Sequence, residues 1–333
     1  MTGLMLGLRM PTPFPPGHLP LATLSADFIA GTASRSGVPV ALASAVACQR
    51  ASTGCYTSLA GVVSTVAANL LRRGDRGLLV EGARTNLVSR SSDLAAWTPA
   101  GATIALDNIA SPDGTTGGDT ISSNGASADN NLGRQFSDLA GTAFTYSMYV
   151  GRKTGTPGYT HRITLRYSGA AEVVYLALSL DPVSGAASVL SVALPDAIAV
   201  EAVGNWWRLT VTRTYPVTAG SLTVRLYPAY DTIAATMPVW QAQLEAAAGA
   251  TSPIPTLADP ATRAADVVTA AVTSGSYDVL VRDGAGGEWR NGVAVSGGSY
   301  TVTPRSGQRF ITRLALYPAG LVSAEDKAAL LAA

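Results

Sequence analysis

Short runs of alternating apolar and polar residues, cut by Gly, Pro, Asn and Asp, dominate this chain. Residues 143–150 (AFTYSMYV) place Phe144, Tyr146 and Met148 on one face and Thr145, Ser147 and Tyr149 on the other. Residues 161–168 (HRITLRYS) set Ile163, Leu165 and Tyr167 against Arg162, Thr164 and Arg166. A period of two is the signature of a strand with two different faces. VVYLALSLDPVSG runs a strand into a turn marked by Asp181, Pro182 and Gly185. WWRLTVTRTY and SLTVRLYPAY repeat the pattern, the latter with Leu222, Val224 and Leu226 inward, and MPVWQAQLE closes the series. Strands of this length and spacing predict an all-β jelly roll or β-sandwich over residues 86–255.

Helix is scarce. The C-terminal SAEDKAALLAA offers Ser323 as an N-cap with Asp326 three residues on, followed by helix-favouring Ala and Leu. TSLAGVVSTVAANLL has helical length, but Gly61, Val62, Val63 and Thr65 favour a strand. Punctuation divides the chain. Residues 1–20, rich in proline, read as an extended attachment arm, and 21–85 as a β-rich region. The sandwich occupies 86–255 and ends at SPIPTLADP. Residues 256–333 form a smaller β unit closed by the one short helix. Because strands pair with sequence-distant partners, segments 21–85 and 264–333 can also combine into one domain.

Composition adds a constraint on assembly. Of the 333 residues, 47% are hydrophobic and only 14% charged, where about a quarter charged is usual. No apolar run reaches the ~18–20 residues of a membrane helix, so membrane insertion is not expected. The low charge instead fits a large subunit interface, whose core excludes charge. A net charge of +1 argues against a nucleic-acid binder, which normally shows a basic face. The N-terminus lacks the charged start of a secretory signal. Lys153 and Lys327 are the only lysines; the other basic residues are Arg, which favours bidentate protein or sugar contacts.

Catalytic chemistry is not encoded in any recognisable spacing. The two histidines, His18 and His161, lack a nucleophile context. The carboxylates Glu81, Asp107, Asp119, Glu172, Glu201, Asp231 and Glu245 form no sequence motif, although Glu81 and Glu245 suit buried pairs with Arg. Cys48 and Cys55 flank a Ser-Thr-Gly turn. Two alternatives stay open for them, a cross-strand disulfide and two buried free thiols. The densest motif is GLLVEGARTNL. Leu78 and Val80 supply a buried strand face, Gly77 its start, and Glu81 and Arg84 are placed to pair or to clamp a neighbouring loop.

CQRASTGCY, GLLVEGARTNLVSRSSDLAAWT, GNWWRLTVTRTY, TVRLYPAY, VWQAQLEAAAGATSPIPT and TRAADVV follow one another in a fixed order. Together, over residues 48–268, they resemble a family of bacteriophage virion proteins: tail-fibre, spike and head-fibre subunits, including head spikes of gene transfer agents. The central unit of that family is similar to a carbohydrate-binding-module jelly roll. The end, ITRLALYPAGLVSAEDKAALLA, resembles the closing strand and helix of concanavalin-like lectin folds. The chain departs from the family at Gln241, where Gly is usual, at Pro253, where Tyr is usual, and at both cysteines.

The resemblance implies a non-enzymatic virion subunit, a homo-oligomer of three or more copies, partnered by other virion proteins and attaching to host surface glycan. Alternation sets Tyr149, Arg162, Arg166, Arg225 and Tyr227 opposite the apolar face, and where that face is the open concavity they form the glycan cradle. The alternative is that this face packs on a neighbouring subunit, making the chain a purely architectural adaptor, hub or decoration protein. A capsule depolymerase is the weaker rival. Trp97, Trp206 and Trp240 are expected in the core. Jelly-roll sugar modules also hold structural calcium in Asp- and Asn-rich loops, which here would be residues 111–119 and 122–131.

Overall fold

In the computed structural model, residues 22–139, 143–155, 158–169, 173–215 and 220–332 are described. The arm expected at 1–20 lies outside them. Two units emerge. The larger comprises Arg50–Arg72 and Glu81–Asp266; the smaller includes residues 22–49, Arg73–Val80 and 267–332.

The larger unit is a sandwich of two antiparallel six-stranded sheets. In chain order its strands are β1 (Thr98–Ala100), β2 (Thr103–Ile109), β3 (Gly118–Asn124), β4 (Asn131–Leu139), β5 (Ala143–Gly151) and β6 (His161–Gly169). They continue as β7 (Val173–Leu180), β8 (Ala187–Val189), β9 (Ala197–Val203), β10 (Trp206–Thr214), β11 (Gly220–Tyr227) and β12 (Ala234–Glu245). One sheet runs β1-β4-β11-β6-β7-β8 and the other β2-β3-β12-β5-β10-β9. The core lies between them. Ile163, Leu165, Tyr167, Leu222, Val224 and Leu226 from the first sheet meet Tyr146, Met148, Val150, Leu209, Val211 and Met237 from the second. Each such side chain contributes roughly 1.5–3 kcal/mol when removed from water. Trp97, Trp206 and Trp240 are buried, as the sequence predicts.

A bulge interrupts β12. Ser147 is opposite Gln243 and Tyr149 opposite Trp240, so two residues of β12 face Met148 alone. One of the two is Gln241, whose φ of 52° lies in the left-handed region. Gly is the easy choice there. Gln241 compensates through its buried side chain, whose Nε2 donates to Ser91 Oγ and to the Ile254 carbonyl, both at 3.0 Å.

The larger unit also contains a buried ionic cluster. Arg72 Nη1 donates to Glu81 Oε2 at 2.8 Å and to Ser252 Oγ at 2.7 Å, and Arg72 also bonds Asp266. Arg50 reaches Asp266 Oδ1 at 2.8 Å, and Arg263 lies 3.5 Å from Glu81. The Glu81 amide donates to Asp266 at 2.8 Å and the Ser252 amide to Glu81 at 2.9 Å. Glu81 therefore pairs with Arg72 and Arg263 and not with Arg84, which donates to the Ala83 carbonyl. The other buried glutamate, Glu245, accepts from Gln243 and Thr251.

The smaller unit is also mostly β. Its six-stranded sheet orders Gly286–Val295, Gly275–Asp283, Arg313–Pro318, Leu24–Asp27, Thr32–Arg35 and Val38–Ala41. Two three-stranded sheets complete it, one of which contains Gly77–Leu79. Gly77 takes φ of 95°, and a Cβ there would sit 2.4 Å from the Ile311 carbonyl oxygen, so the chain needs glycine at that strand start. The C-terminal helix, Ala324–Ala332, carries the expected cap: the Asp326 amide donates to Ser323 Oγ, which in turn donates to the Asp326 carboxylate. A four-residue helical turn, Leu42–Ala45, is additional to the sequence reading. In the stretch 57–71, Thr57 ends the strand Gly54–Thr57, and Val63–Val66 is the strand that pairs with it.

Cys48 and Cys55 are buried thiols and do not form a disulfide. The hairpin expected between them does not form. Cys48 lies opposite Val268, and Cys55 opposite Thr65, so neither is the cross-strand partner of the other. Burial raises the Cys55 thiol to about 11.

Candidate functional site

The outward face of the first sheet gathers four of the five residues expected as a glycan cradle. On β6 the side chains of Arg162, Thr164 and Arg166 face away from the core. Register sets Tyr227 of β11 beside Arg162, Arg225 beside Thr164, and Thr223 beside Arg166. On the other flank, β7 brings Ser179, Ala177 and Tyr175 to the same three rows. Adjacent strands lie ~4.8 Å apart and same-face residues ~6.8 Å along each strand, so these groups form a continuous patch.

Tyr149 is not part of it. It sits on β5, a central strand of the second sheet, whose outer side is covered by Cys55, Val63, Trp206 and Trp240. Only 1% of it is exposed, and burial raises its hydroxyl pKa. Alternation identifies which face a residue takes but not what covers that face. Tyr227 is on the correct face yet is also buried. Burial raises its hydroxyl pKa, against a hydrogen bond from Arg225 that lowers it.

Two tyrosines missing from the sequence reading give the patch its exposed aromatic surface. Tyr230 is 48% exposed and Tyr175 41%. The guanidinium carbon of Arg162 lies 3.7 Å from the Tyr230 ring centroid, and its Nη2 is 3.4 Å from the Tyr175 hydroxyl. Tyr230 meets Tyr227 edge-on, with centroids 5.4 Å apart. Tyr175 was legible: alternation in VVYLALSL puts it on the face of Ser179. Tyr230 follows the end of β11, where periodicity no longer speaks.

A groove of about 740 Å³ opens at the Arg162 end, lined by Tyr159, Arg162, Ser179, Asp181, Tyr230 and Asp231 among others. Its size falls in the range of small-ligand sites. Local chemistry positions each wall. Asp181 Oδ1 accepts from the amides of Val183 at 2.8 Å and Ser184 at 3.2 Å, an Asx turn that also lowers its pKa. Gly185 closes that turn at φ 75°, and a Cβ on it would strike the Trp207 ring at 2.8 Å.

On the opposite wall, the segment carrying Tyr230 is held from below. His161 Nδ1 lies 2.7 Å from the Pro228 carbonyl, so Nδ1 carries the proton. Its Nε2 is buried with no hydrogen-bond partner. Burial lowers the His161 pKa to about 4, so the ring is neutral at pH 7. That arrangement suits a clamp, not an acid–base catalyst.

Among the described residues, no three His, Cys, Asp or Glu side chains are grouped to hold a metal ion. In the loop read for calcium, Asp113 accepts from Ser111 Oγ and from the amide and hydroxyl of Thr115. Asp119 accepts from the amides of Leu94 and Asp107.

Fold and site together define a β-sandwich protein with an open aromatic and arginine-bearing sheet face. The chain is similar to the xylan-binding CBM22-1 domain of Paenibacillus barcinonensis Xyn10C, at 16% identity and TM-score 0.31, covering 50% of this chain and 94% of that one. It is similar to the mannan-recognising module TmCBM27, at 12% identity and TM-score 0.29, covering 50% and 97%. A third structure, of promiscuous carbohydrate-binding modules from the β-sandwich superfamily, shows 12% identity and TM-score 0.32, covering 66% and 83%. All three are carbohydrate-binding modules and not virion proteins. No protein-family model and no curated protein matches the chain.

Proposed function

We propose that the sandwich unit binds glycan without cleaving it, at the groove and sheet face around Arg162 and Tyr230, and that the chain is a virion attachment subunit. The observation that carries the binding reading is the exposed Tyr230 ring, backed by a stacked guanidinium and flanked by Asp181, Asp231 and Ser179. An exposed ring packs on the apolar face of a pyranose, while carboxylates and guanidinium groups satisfy its hydroxyls. The virion part is supported by the ordered motifs over residues 48–268, and oligomerisation by the low charge. Multiple copies on one particle would raise weak single-site affinity by orders of magnitude.

Affinity electrophoresis of the whole protein through gels containing host surface polysaccharide tests the reading. Tyr230→Ala is expected to weaken binding at least tenfold, about 1.4 kcal/mol. Val192→Ser, outside the groove lining, is expected to bind like the parent. Unchanged binding by Tyr230→Ala refutes the site.

One observation favours the architectural alternative. Leu190, Val192 and Leu194 are 52%, 101% and 62% exposed, an apolar strip of the kind subunit contacts cover. If that reading holds, no glycan is retained, and Val192→Ser shifts the oligomeric state in sedimentation.

A further inference from the structure

We infer that the glycan is anionic, with an acidic sugar seated at the end of the face where Arg166 and Arg225 lie. This rests on the binding reading above. Arg225 stands opposite Thr164, so it is the diagonal neighbour of both Arg162 and Arg166 across the β6–β11 pair. Diagonal Cβ atoms are about 7–8 Å apart, within which long side chains converge on one group. Arg166 and Arg225 are exposed. Among the described residues, no carboxylate lies within 4.0 Å of any of the three guanidinium groups.

Elsewhere in the chain some arginines are matched by carboxylates, while others, such as Arg35, Arg73 and Arg282, are satisfied by backbone carbonyls. Arg50, Arg72 and Arg263 share Glu81 and Asp266, Arg290 has Glu288, and Arg313 has Asp27. Arg166 and Arg225, with no carboxylate partner among the described residues, repel one another, and an incoming anion relieves that repulsion. Arginine's planar fork fits a carboxylate with two parallel hydrogen bonds.

Charge is distributed unevenly along the face, and this narrows the ligand. The groove end holds Asp181 and Asp231, each anchored by a backbone amide at 2.8 and 2.7 Å. Those carboxylates accept from sugar hydroxyls and repel acidic groups. Arg162 lies between the two ends, stacked on Tyr230. The face thus pairs a neutral-sugar seat at Tyr230 with an anion seat at Arg225 and Arg166, roughly 7 and 13 Å along the strands from Arg162. A polysaccharide mixing neutral and acidic sugars matches this order. A nucleic acid, with a phosphate at every step, meets the two aspartates.

Affinity electrophoresis of the whole protein separates the outcomes. The gels contain polygalacturonate, alginate or hyaluronate, against methyl-esterified polygalacturonate, xylan and mannan, with a single-stranded oligonucleotide as a further arm. Retardation by at least one acidic polymer is expected to exceed that of every neutral one tenfold or more, and to fall as NaCl rises from 0.02 to 0.5 M. Arg166→Gln with Arg225→Gln is expected to abolish the preference for acid while retaining weak binding. Tyr230→Ala weakens binding to acidic and neutral polymers alike. Equal or stronger retardation by the neutral polymers overturns the anionic assignment but leaves glycan binding standing. Retardation by none overturns both. A preference for acid that survives the arginine changes, or stronger retention by the oligonucleotide, overturns the seat proposed here.

Discussion

Replacing Asp266 by Asn should unfold the sandwich unit more than any surface change of equal size. The Asp266 carboxylate accepts from Arg50 Nη1 at 2.8 Å, from Arg72 Nε at 3.4 Å and from the Glu81 amide at 2.8 Å, and it also bonds Arg72 Nη2. Its side chain is 1% exposed and both arginine side chains are 0% exposed. Asparagine keeps the volume, removes the charge and turns an N–H group towards a guanidinium. Each lost charge pair at ~4 Å is worth about 4 kcal/mol at an effective dielectric of 20, before relaxation. Breaking one side of a buried pair costs about 3–5 kcal/mol overall, a large share of a typical stability of about 5–15 kcal/mol. Urea unfolding followed by tryptophan fluorescence is the assay, because four of the five tryptophans (Trp97, Trp206, Trp207 and Trp240) belong to this unit. Glu288→Gln is the control. It breaks a pair whose side chains are 20% and 40% exposed, and such pairs are worth no more than about 1 kcal/mol. A loss below about 1 kcal/mol for Asp266→Asn would refute the claim that this carboxylate holds the buried arginines.

Acid should weaken the fold through His161. Its pKa is about 4 in the folded protein, against about 6.5 unfolded. The stabilisation is therefore complete above about pH 6.5 and is lost as pH falls towards 4, by roughly 3 kcal/mol in total. His161→Gln should flatten that part of a stability–pH curve; an unchanged slope between pH 6.5 and 4 would count against it. Ser323→Ala should cost about 1 kcal/mol by removing the cap of the C-terminal helix, read as lost helical ellipticity. Cys48 and Cys55 should resist a thiol reagent in the native protein at pH 8 and react only in denaturant. Rapid native labelling would contradict their burial.

The sequence made the β class, the sandwich strands and the C-terminal cap legible because alternation and capping are local. Four of the residues expected in a cradle, Arg162, Arg166, Arg225 and Tyr227, lie on one face for the same reason: β6 and β11 pair directly, so period two survives across them. Tyr149 failed because its strand is covered on both sides, and coverage depends on elements far away in sequence, here Cys55 and Val63. Tyr230 was missed because it lies past the end of its strand, placed by a hydrogen bond between Pro228 and His161 that no spacing encodes. The disulfide alternative failed on pairing, since Cys48 and Cys55 take different partner strands.

The most distinctive motifs of the chain share one physical cause, and it is not the open sheet face. Arg50 belongs to CQRASTGCY, Glu81 to GLLVEGARTNL, Ser252 to ATSPIPT, and Arg263 and Asp266 to TRAADVV. These separate stretches converge, with Arg72, on one buried cluster in which each carboxylate serves two or more arginines. Buried charge tolerates little substitution, because Lys cannot reproduce the guanidinium fork and an amide leaves an arginine unpaired. An apolar core position accepts any of several side chains of similar volume, so it leaves a weaker mark on sequence. The open face and its groove by contrast use solvent-reachable side chains such as Arg166 and Tyr230, which can change without unfolding the sandwich. The motif residues therefore report the architecture that carries the site, and ligand preference must be read from register on the open face.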